Sequence, residues 1–331
     1  MSVDATSATA DARPALSIVV PTHDTRELTR SCLRTLAAAR IPSCELILVD
    51  DASSDGTAAA IVHEYPDVKI VRLEGPQGFT AAANAGLAVS AGELLLLLNS
   101  DTEVAPGALA ALVGAFAANP WLGVGGAALR APDGTPSWSG GAEPTLPWLF
   151  VLGTGLASLL GRFPAWRHVK QPGAAGVAVE WVSGAALAIR RDAWQRVGPL
   201  DARFRLYCQD TDLCLRARDA GWQVAILPEV RVVHHEGATI GKRAGAVAAR
   251  YDAALLWTDL LRLVEKRSGP ARARQARKAL LIAASLRVAV RRIATPFVGT
   301  AGRAAWRRDT RAFADAVAAL RCWPGSPLSQ P

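Results

Sequence analysis

Residues 93–103 read ELLLLLNSDTE, a run of leucines that stops abruptly at Asn99 and Asp101. Unbroken apolar runs of this length belong to strands covered on both faces, as in a parallel sheet. In open α/β sheets the carboxyl ends of the strands form the ligand-binding edge. The segment therefore predicts a core strand that delivers oxygen-bearing side chains to such an edge. Asn-Ser-Asp is also the composition of a turn that caps a helix, so the surrounding chain has to decide.

Upstream, strand and helix patterns alternate. A β-branched run over 16–20 ends at Pro21, and 27–39 places Leu28, Cys32, Leu33 and Leu36 on one helical face. A second strand over 45–49 leads through a polar loop, 50–56, into a helix over 57–64. A third strand over 68–73 precedes an alanine-rich helix over 80–89, which feeds the leucine strand. This alternation builds an α/β fold, a mainly parallel sheet flanked by helices. No GxGxxG follows the first strand and no Walker lysine loop occurs, which excludes the common dinucleotide and NTPase fingerprints.

Downstream the pattern changes. Strands over 124–129, 181–189, 222–227 and 230–233 are separated by irregular segments, so the sheet is expected to become mixed. The stretch 131–176, rich in Pro, Gly and Trp, is too long for an ordinary connection and is expected to be an insertion or lid. From 242 to 331 the chain turns to Ala, Leu and Arg, the composition of a basic, amphipathic helical appendage.

With 331 residues, half of them hydrophobic, the chain is long enough for one substantial domain and that appendage. A net charge of +8 and a pI near 9.7 call for a polyanionic neighbour. No nucleic-acid module accompanies the charge, which favours phosphate-bearing substrates or an anionic membrane surface over nucleic acid. The five cysteines have no CxxC or metal-knuckle spacing, as in a reducing compartment. Residues 1–14 lack the basic and apolar regions of a signal peptide and read as a disordered leader. The apolar stretch 146–160 is interrupted by Pro147, Gly153 and Gly155 and is short for a membrane span. The expected location is cytoplasmic; the basic tail reads either as the solvated face of an appended helical bundle or as a peripheral contact to the inner face of the cell membrane.

Carboxylates recur where successive strands end: Asp50 and Asp51, Asp101, then Asp210 and Asp212. Like charges gathered on one rim need compensation, commonly by a divalent cation. The blocks that carry them, IVVPTHD, LVDDASSDGT, GFTAAANAGL, LLLLNSDTEVAPGAL, WVSGAALAIRR, GPLDARFRLYCQDTDLCLRARDAGW and VVHHEGAT, follow one another across 16–240. In this order they resemble the inverting family 2 glycosyltransferases, especially the rhamnosyltransferase-like group.

The resemblance implies a glycosyltransferase A fold, with a nucleotide-sugar-binding domain over 15–241. It implies transfer of a hexose or deoxyhexose, such as rhamnose, from a dTDP-, UDP- or GDP-linked donor to a cell-surface glycan or lipid-linked acceptor. By position, Pro21, Thr22, Asp24, Asp50 and Asp51 would line the nucleoside pocket. Gly78, Phe79 and Asn84 would approach the nucleotide, with Asn99 and Ser100 also on the donor side. Asp101, the last Asp of an Asp-x-Asp motif, would hold Mn²⁺ or Mg²⁺, and His234 would complete the metal shell. Asp210 would be the catalytic base, with Gln209, Trp181, Ser183 and Gly184 on the acceptor side and Asp212 as a helix cap. Trp138, Trp148 and Trp166 in the insertion are candidates for sugar stacking or lid surface.

Two positions depart from the family pattern: Asn99 stands for the first Asp of the metal motif, and Gln209 for the acid before the base. These changes keep open a non-catalytic nucleotide-sugar-binding or scaffold protein. A sugar nucleotidyltransferase would need a Gly-rich, basic triphosphate loop, and none occurs.

Overall fold

The computed structural model describes residues 13–39, 41–156, 168–169, 176–204, 206–235 and 252–323. Its first half alternates as expected: β1 (Leu16–Thr22), α1 (Arg26–Ala38), β2 (Cys44–Asp50), α2 (Thr57–Glu64), β3 (Lys69–Arg72), α3 (Phe79–Ala88) and β4 (Leu94–Leu98). These strands lie parallel in the order β3-β2-β1-β4. The leucine run is apolar throughout because both its faces are covered. Leu94, Leu96 and Leu98 enter a core shared with Cys32, Leu33 and Leu36 of α1, whereas Leu95 and Leu97 enter one shared with Ala82, Ala83 and Leu87 of α3. At Gly86 an added Cβ would lie 2.4 Å from Val19 Cγ1, so glycine is what lets α3 approach β1 this closely.

Past the leucine strand come β5 (Thr102–Val104), α4 (Ala108–Ala118), β6 (Leu122–Arg130), β7 (Gly140–Gly141), α5 (Leu146–Thr154) and β8 (His168–Val169). They are followed by β9 (Val177–Ala178), β10 (Trp181–Val182), β11 (Ala186–Arg190), α6 (Arg191–Val197), α7 (Gln209–Asp219) and β12 (Gln223–His234). The sheet continues β4-β11-β6-β12-β5, with β11 antiparallel to both neighbours and β12 parallel to β6. It is therefore mixed, as the change of pattern predicted.

Two strand expectations need correction. The predicted strand 181–189 is broken: β10 belongs to a small sheet with β7 and β8, while β11 lies in the main sheet. The break falls at Ser183 and Gly184, whose backbone leaves the ladder to meet other partners. Conversely, the predicted strands 222–227 and 230–233 are one strand, β12. Pro228 has no N–H to donate, and a bulge between Leu227 and Arg231 absorbs it without ending the pairing with β6.

The C-terminal part consists of α8 (Ala253–Ala294) and α9 (Thr300–Cys322), joined by a short turn. Gly269, with φ of 80°, and Pro270 kink α8. Its first half packs Trp257, Leu260 and Leu261 against Phe204, Cys208 and Leu215, so it shares a core with the segment around α7. The apolar stretch from residue 146 forms α5, whose Leu149 and Leu152 are buried in the same core. Among the described residues no helix is long and apolar enough to cross a membrane. Residues 1–12, Trp166 and Thr239 lie outside the described residues.

Candidate active site

The carboxyl ends of β1, β2 and β4 form one rim. Thr22, at the end of β1, is buried and its hydroxyl bonds Thr25 and Thr29 at 2.9 and 2.7 Å. Thr25 in turn reaches the Ser100 hydroxyl at 3.1 Å, tying the β1 end to the β4 end. Pro21 sits within β1 opposite Val49. Asp24, at φ of 50°, accepts hydrogen bonds from the Ser54 and Asp55 amides at 2.7 and 3.3 Å. The Ser54 amide, ahead of the other influences, holds the Asp24 carboxyl below its ordinary value.

Asp50 and Asp51 divide the work. Asp50 accepts from the Ser53 amide through Oδ1, while its buried Oδ2 has no hydrogen-bond partner and lies 3.5 Å from Arg72 Nε. Asp51 uses both oxygens on the next loop, accepting from the amides of Gln77 at 2.6 Å and Gly78 at 2.8 Å. Asp51 thus shapes the rim by holding the Gly78 turn, where φ is 92°. Phe79 is half-buried against the α3 core. Asn84 spends its amide on Leu200, donating to its carbonyl at 2.8 Å and accepting from its N–H at 2.9 Å. Its contribution is to brace α3 against the segment that leads to Asp210.

The metal candidates meet. Asp101 follows β4, His234 ends β12, and His234 Nε2 lies 3.3 Å from Asp101 Oδ1. The pairing of His234 with Thr102, and the bond from His235 N–H to the Asp101 carbonyl at 2.9 Å, hold the two side chains together. His235 points elsewhere, to Glu103 at 3.2 Å, as alternation along an extended strand requires. Among the described residues no group of three or more His, Cys, Asp or Glu forms a metal cage. One carboxylate and one imidazole still fit a cation that takes its remaining ligands from substrate phosphates and water. Beside them the side-chain oxygen of Asn99 is buried without a hydrogen-bond partner.

Asp210 arrives from the other direction. The preceding Cys208 adopts φ of 67°, an uncommon conformation for a residue with a side chain, and α7 begins at once. Asp210 Oδ2 accepts from the Gly184 amide at 2.8 Å and Oδ1 from the Thr211 amide at 2.7 Å. Burial pushes its carboxyl above the ordinary value, and these hydrogen bonds oppose the shift. Since the Asn99 amide donates to the Ala185 carbonyl, Gly184 and Asp210 stand beside the end of β4. Two hydrogen bonds joined by the Gly184–Ala185 peptide, one from the Gly184 N–H to Asp210 and one from the Asn99 backbone N–H to the Ala185 carbonyl, therefore tie Asp210 to the strand end that carries Asp101.

The acceptor-side candidates frame this connection. Ser183 donates its N–H to Ser139, and Trp181 donates its indole N–H to the Ala142 carbonyl at 2.9 Å. Gln209 is buried and its side-chain oxygen has no hydrogen-bond partner. Asp212, expected to cap α7, lies inside the helix and instead pairs with Arg216 and with Lys266 of α8. The cap position itself is Cys208.

Several contributors did not stand out in the sequence. His23 bonds the Asp51 carbonyl at 2.6 Å and lies 3.5 Å from Asp24, and Arg72 reaches Asp50. Lys266 bridges Asp201 at 2.8 Å and Asp212 at 2.6 Å, and Asp259 accepts from the Tyr207 amide at 3.2 Å. These contacts bolt the segment before Asp210 to α8. For His23 the signal was its place inside the strand-end block; for Lys266 and Asp259 there was none, since their partners are far away in sequence. A cleft of about 730 Å³ lies between Gln77, Gly78, Phe204, Leu206 and Asp252, and Asp101, His234 and Asp210 do not line it.

Comparison with known proteins agrees with this layout. Residues 17–173 match the model of the family described as Glycosyl transferase family 2. The chain is 30% identical over 246 residues to the N-acetylglucosaminyl-diphospho-decaprenol L-rhamnosyltransferase of Mycobacterium tuberculosis, covering 69% of this chain and 78% of that protein. It is 32% identical over 246 residues to the O-antigen biosynthesis protein RfbC of Myxococcus xanthus, covering 71% of this chain and 18% of that longer protein. A mannosyltransferase from Pyrobaculum calidifontis, solved in complex with GDP-Man and Mn²⁺, shares the fold with a TM-score of 0.54 at 18% identity, covering 94% of this chain and 87% of that one. On sequence, fold and the order of its strand-end motifs, the chain belongs to the family 2 glycosyltransferases.

Proposed function

We propose that the chain is an inverting hexosyltransferase in which Asp210 is the general base and Asp101 and His234 hold Mn²⁺ or Mg²⁺ against a nucleoside diphosphate sugar. The observation that carries this reading is the tie, by one hydrogen bond at Gly184 and a second at the adjoining Ala185, between Asp210 and the strand end that bears the Asp101–His234 pair. Asp24, Asp50, the Gly78 turn, Asn99 and Ser100 surround the donor, and Gln209, Trp181 and Ser183 face the acceptor. The name of the mycobacterial relative supports a deoxyhexose donor and a polyprenyl diphosphate-linked acceptor.

Inversion needs a single displacement. Asp210 takes the proton from an acceptor hydroxyl as that oxygen bonds the anomeric carbon, and the bond to the donor phosphate oxygen breaks with its electron pair leaving on the nucleoside diphosphate. A bound divalent cation supplies charge stabilisation for that leaving group. A carboxyl raised by burial is the stronger base, and its Gly184 and Thr211 bonds orient it. No covalent nucleophile is required.

The test is incubation with Mn²⁺ and a panel of dTDP-, UDP- and GDP-sugars, with a polyprenyl diphosphate-linked N-acetylglucosamine as acceptor. Asp210→Asn is expected to lower transfer by about 10²–10⁴-fold while donor binding, read by calorimetry, is unchanged. Equal loss of binding and turnover would remove Asp210 from the role of base. Donor binding by the unaltered protein without any transfer or donor hydrolysis would favour the non-catalytic alternative.

A further inference from the structure

Beyond its kink, α8 carries two apolar faces. One, including Ala276, Leu280, Ala284 and Val288, is buried with residues of α5 and α9. The other consists of Ile282, Leu286, Val290 and Ile293, spaced to share one side of a helix and 64, 53, 55 and 73% exposed. Phe297, in the turn that follows, is 87% exposed. A helix packed on one side should be polar on the other, and single exposed apolar residues need no explanation. An aligned row of branched aliphatics ending in a phenylalanine does, because it marks a surface that something covers.

The charge around the row identifies the partner. No Asp or Glu occurs between Glu265 and Asp309, whereas Arg274, Lys278 and Arg292 are exposed along one border of the row by helical periodicity. The adjoining α9 exposes Arg307, Arg308 and Arg311. A second copy docked through the same face would bring cation against cation. An anionic bilayer meets both demands, taking the aliphatic row at its acyl boundary and the cations at its phosphates.

We propose that this face of α8, from Lys278 to Phe297, docks the protein peripherally on an anionic lipid surface. The face lies outside the catalytic rim, so the proposal stands independently of the reaction assigned above. It places the membrane on a helix whose first half, through Lys266 to Asp201 and Asp259 to Tyr207, grips the segment before Asp210.

The experiment is co-flotation of the full chain with vesicles of equimolar phosphatidylglycerol and phosphatidylcholine, compared with vesicles of phosphatidylcholine alone. The unaltered protein should float with the anionic vesicles and not with the neutral ones. Leu286→Ser with Ile293→Ser should weaken binding at least tenfold, and Lys278→Gln with Arg292→Gln by about thirtyfold. Phe297→Ser, in a turn, provides a third reading should the aliphatic pair disturb folding, which circular dichroism would reveal. Failure to bind anionic vesicles, or undiminished binding by all three variants, would overturn the proposal. So would a dimer of the unaltered protein, seen by light scattering without lipid, that Leu286→Ser with Ile293→Ser converts to monomer. Because the readout is lipid binding alone, its failure leaves the transfer reaction untouched, and a lack of transfer leaves the docking face untouched.

Discussion

Asp210 illustrates how one carboxylate is tuned by its surroundings. Burial raises its pKa above the ordinary 3.8, and in its proposed role as general base it works only when ionised. Turnover should therefore rise with pH through an acid limb whose midpoint lies above 3.8. A rate-versus-pH profile of donor-saturated enzyme would show this limb, and Asp210→Asn should abolish it; a limb surviving in that variant would assign it to another group. Asp101 and His234 predict a different signature. With one of the two proposed protein ligands gone, His234→Ala should weaken activation by Mn²⁺ about 10–100-fold, read as the metal concentration giving half-maximal rate, and excess metal should restore part of the activity.

At the scale of elements, the site depends on where regular structure stops. The β10–β11 chain breaks at Gly184 so that its amide can meet Asp210, and an added Cβ there would lie 3.3 Å from both Cβ and Oδ2 of Asp210. Gly184→Ala should shift the carboxylate by a few tenths of an ångström and lower kcat about 10²-fold, with little change in KM for donor and in melting temperature. A loss of stability matching the loss of rate would show that the glycine serves folding instead. Lys266, at the junction of α7 and α8, faces the carboxylates of Asp201 and Asp212. Lys266→Met removes the bridge between them but leaves Asp201 with Arg203 and Asp212 with Arg216, and should cost about 1–2 kcal/mol in denaturant unfolding, less than breaking a wholly buried pair.

Across the whole molecule, the helical C-terminal part shares a core with α5 and the segment around α7, and α7 packs Leu213, Cys214 and Ala217 against the sheet. Trp257 is fully buried among residues that include Phe204 and Leu215, and its ring stacks on Phe313 of α9 with centroids 6.0 Å apart. The chain should therefore melt in one cooperative transition, and Trp257→Ala should lower its stability by about 3–5 kcal/mol. Two separate transitions in calorimetry would contradict this unity. What the amino-acid pattern determined by itself was local or periodic. It specified the doubly covered leucine strand, the alternation of strands and helices before it, the mixed sheet after it, and the residues that carry the family motifs, because hydrophobic period and strand-end chemistry are written within a few residues of each other. Tertiary structure decided the rest. Whether Asp101 would face His234, whether residues 181–189 would break at Gly184, that 222–233 would run through Pro228 as one strand, and which side of α8 would stay uncovered all depend on partners more than a hundred residues away or on packing between elements. No local pattern encodes such contacts; they exist only once the sheet has closed its order and the helices have chosen their faces.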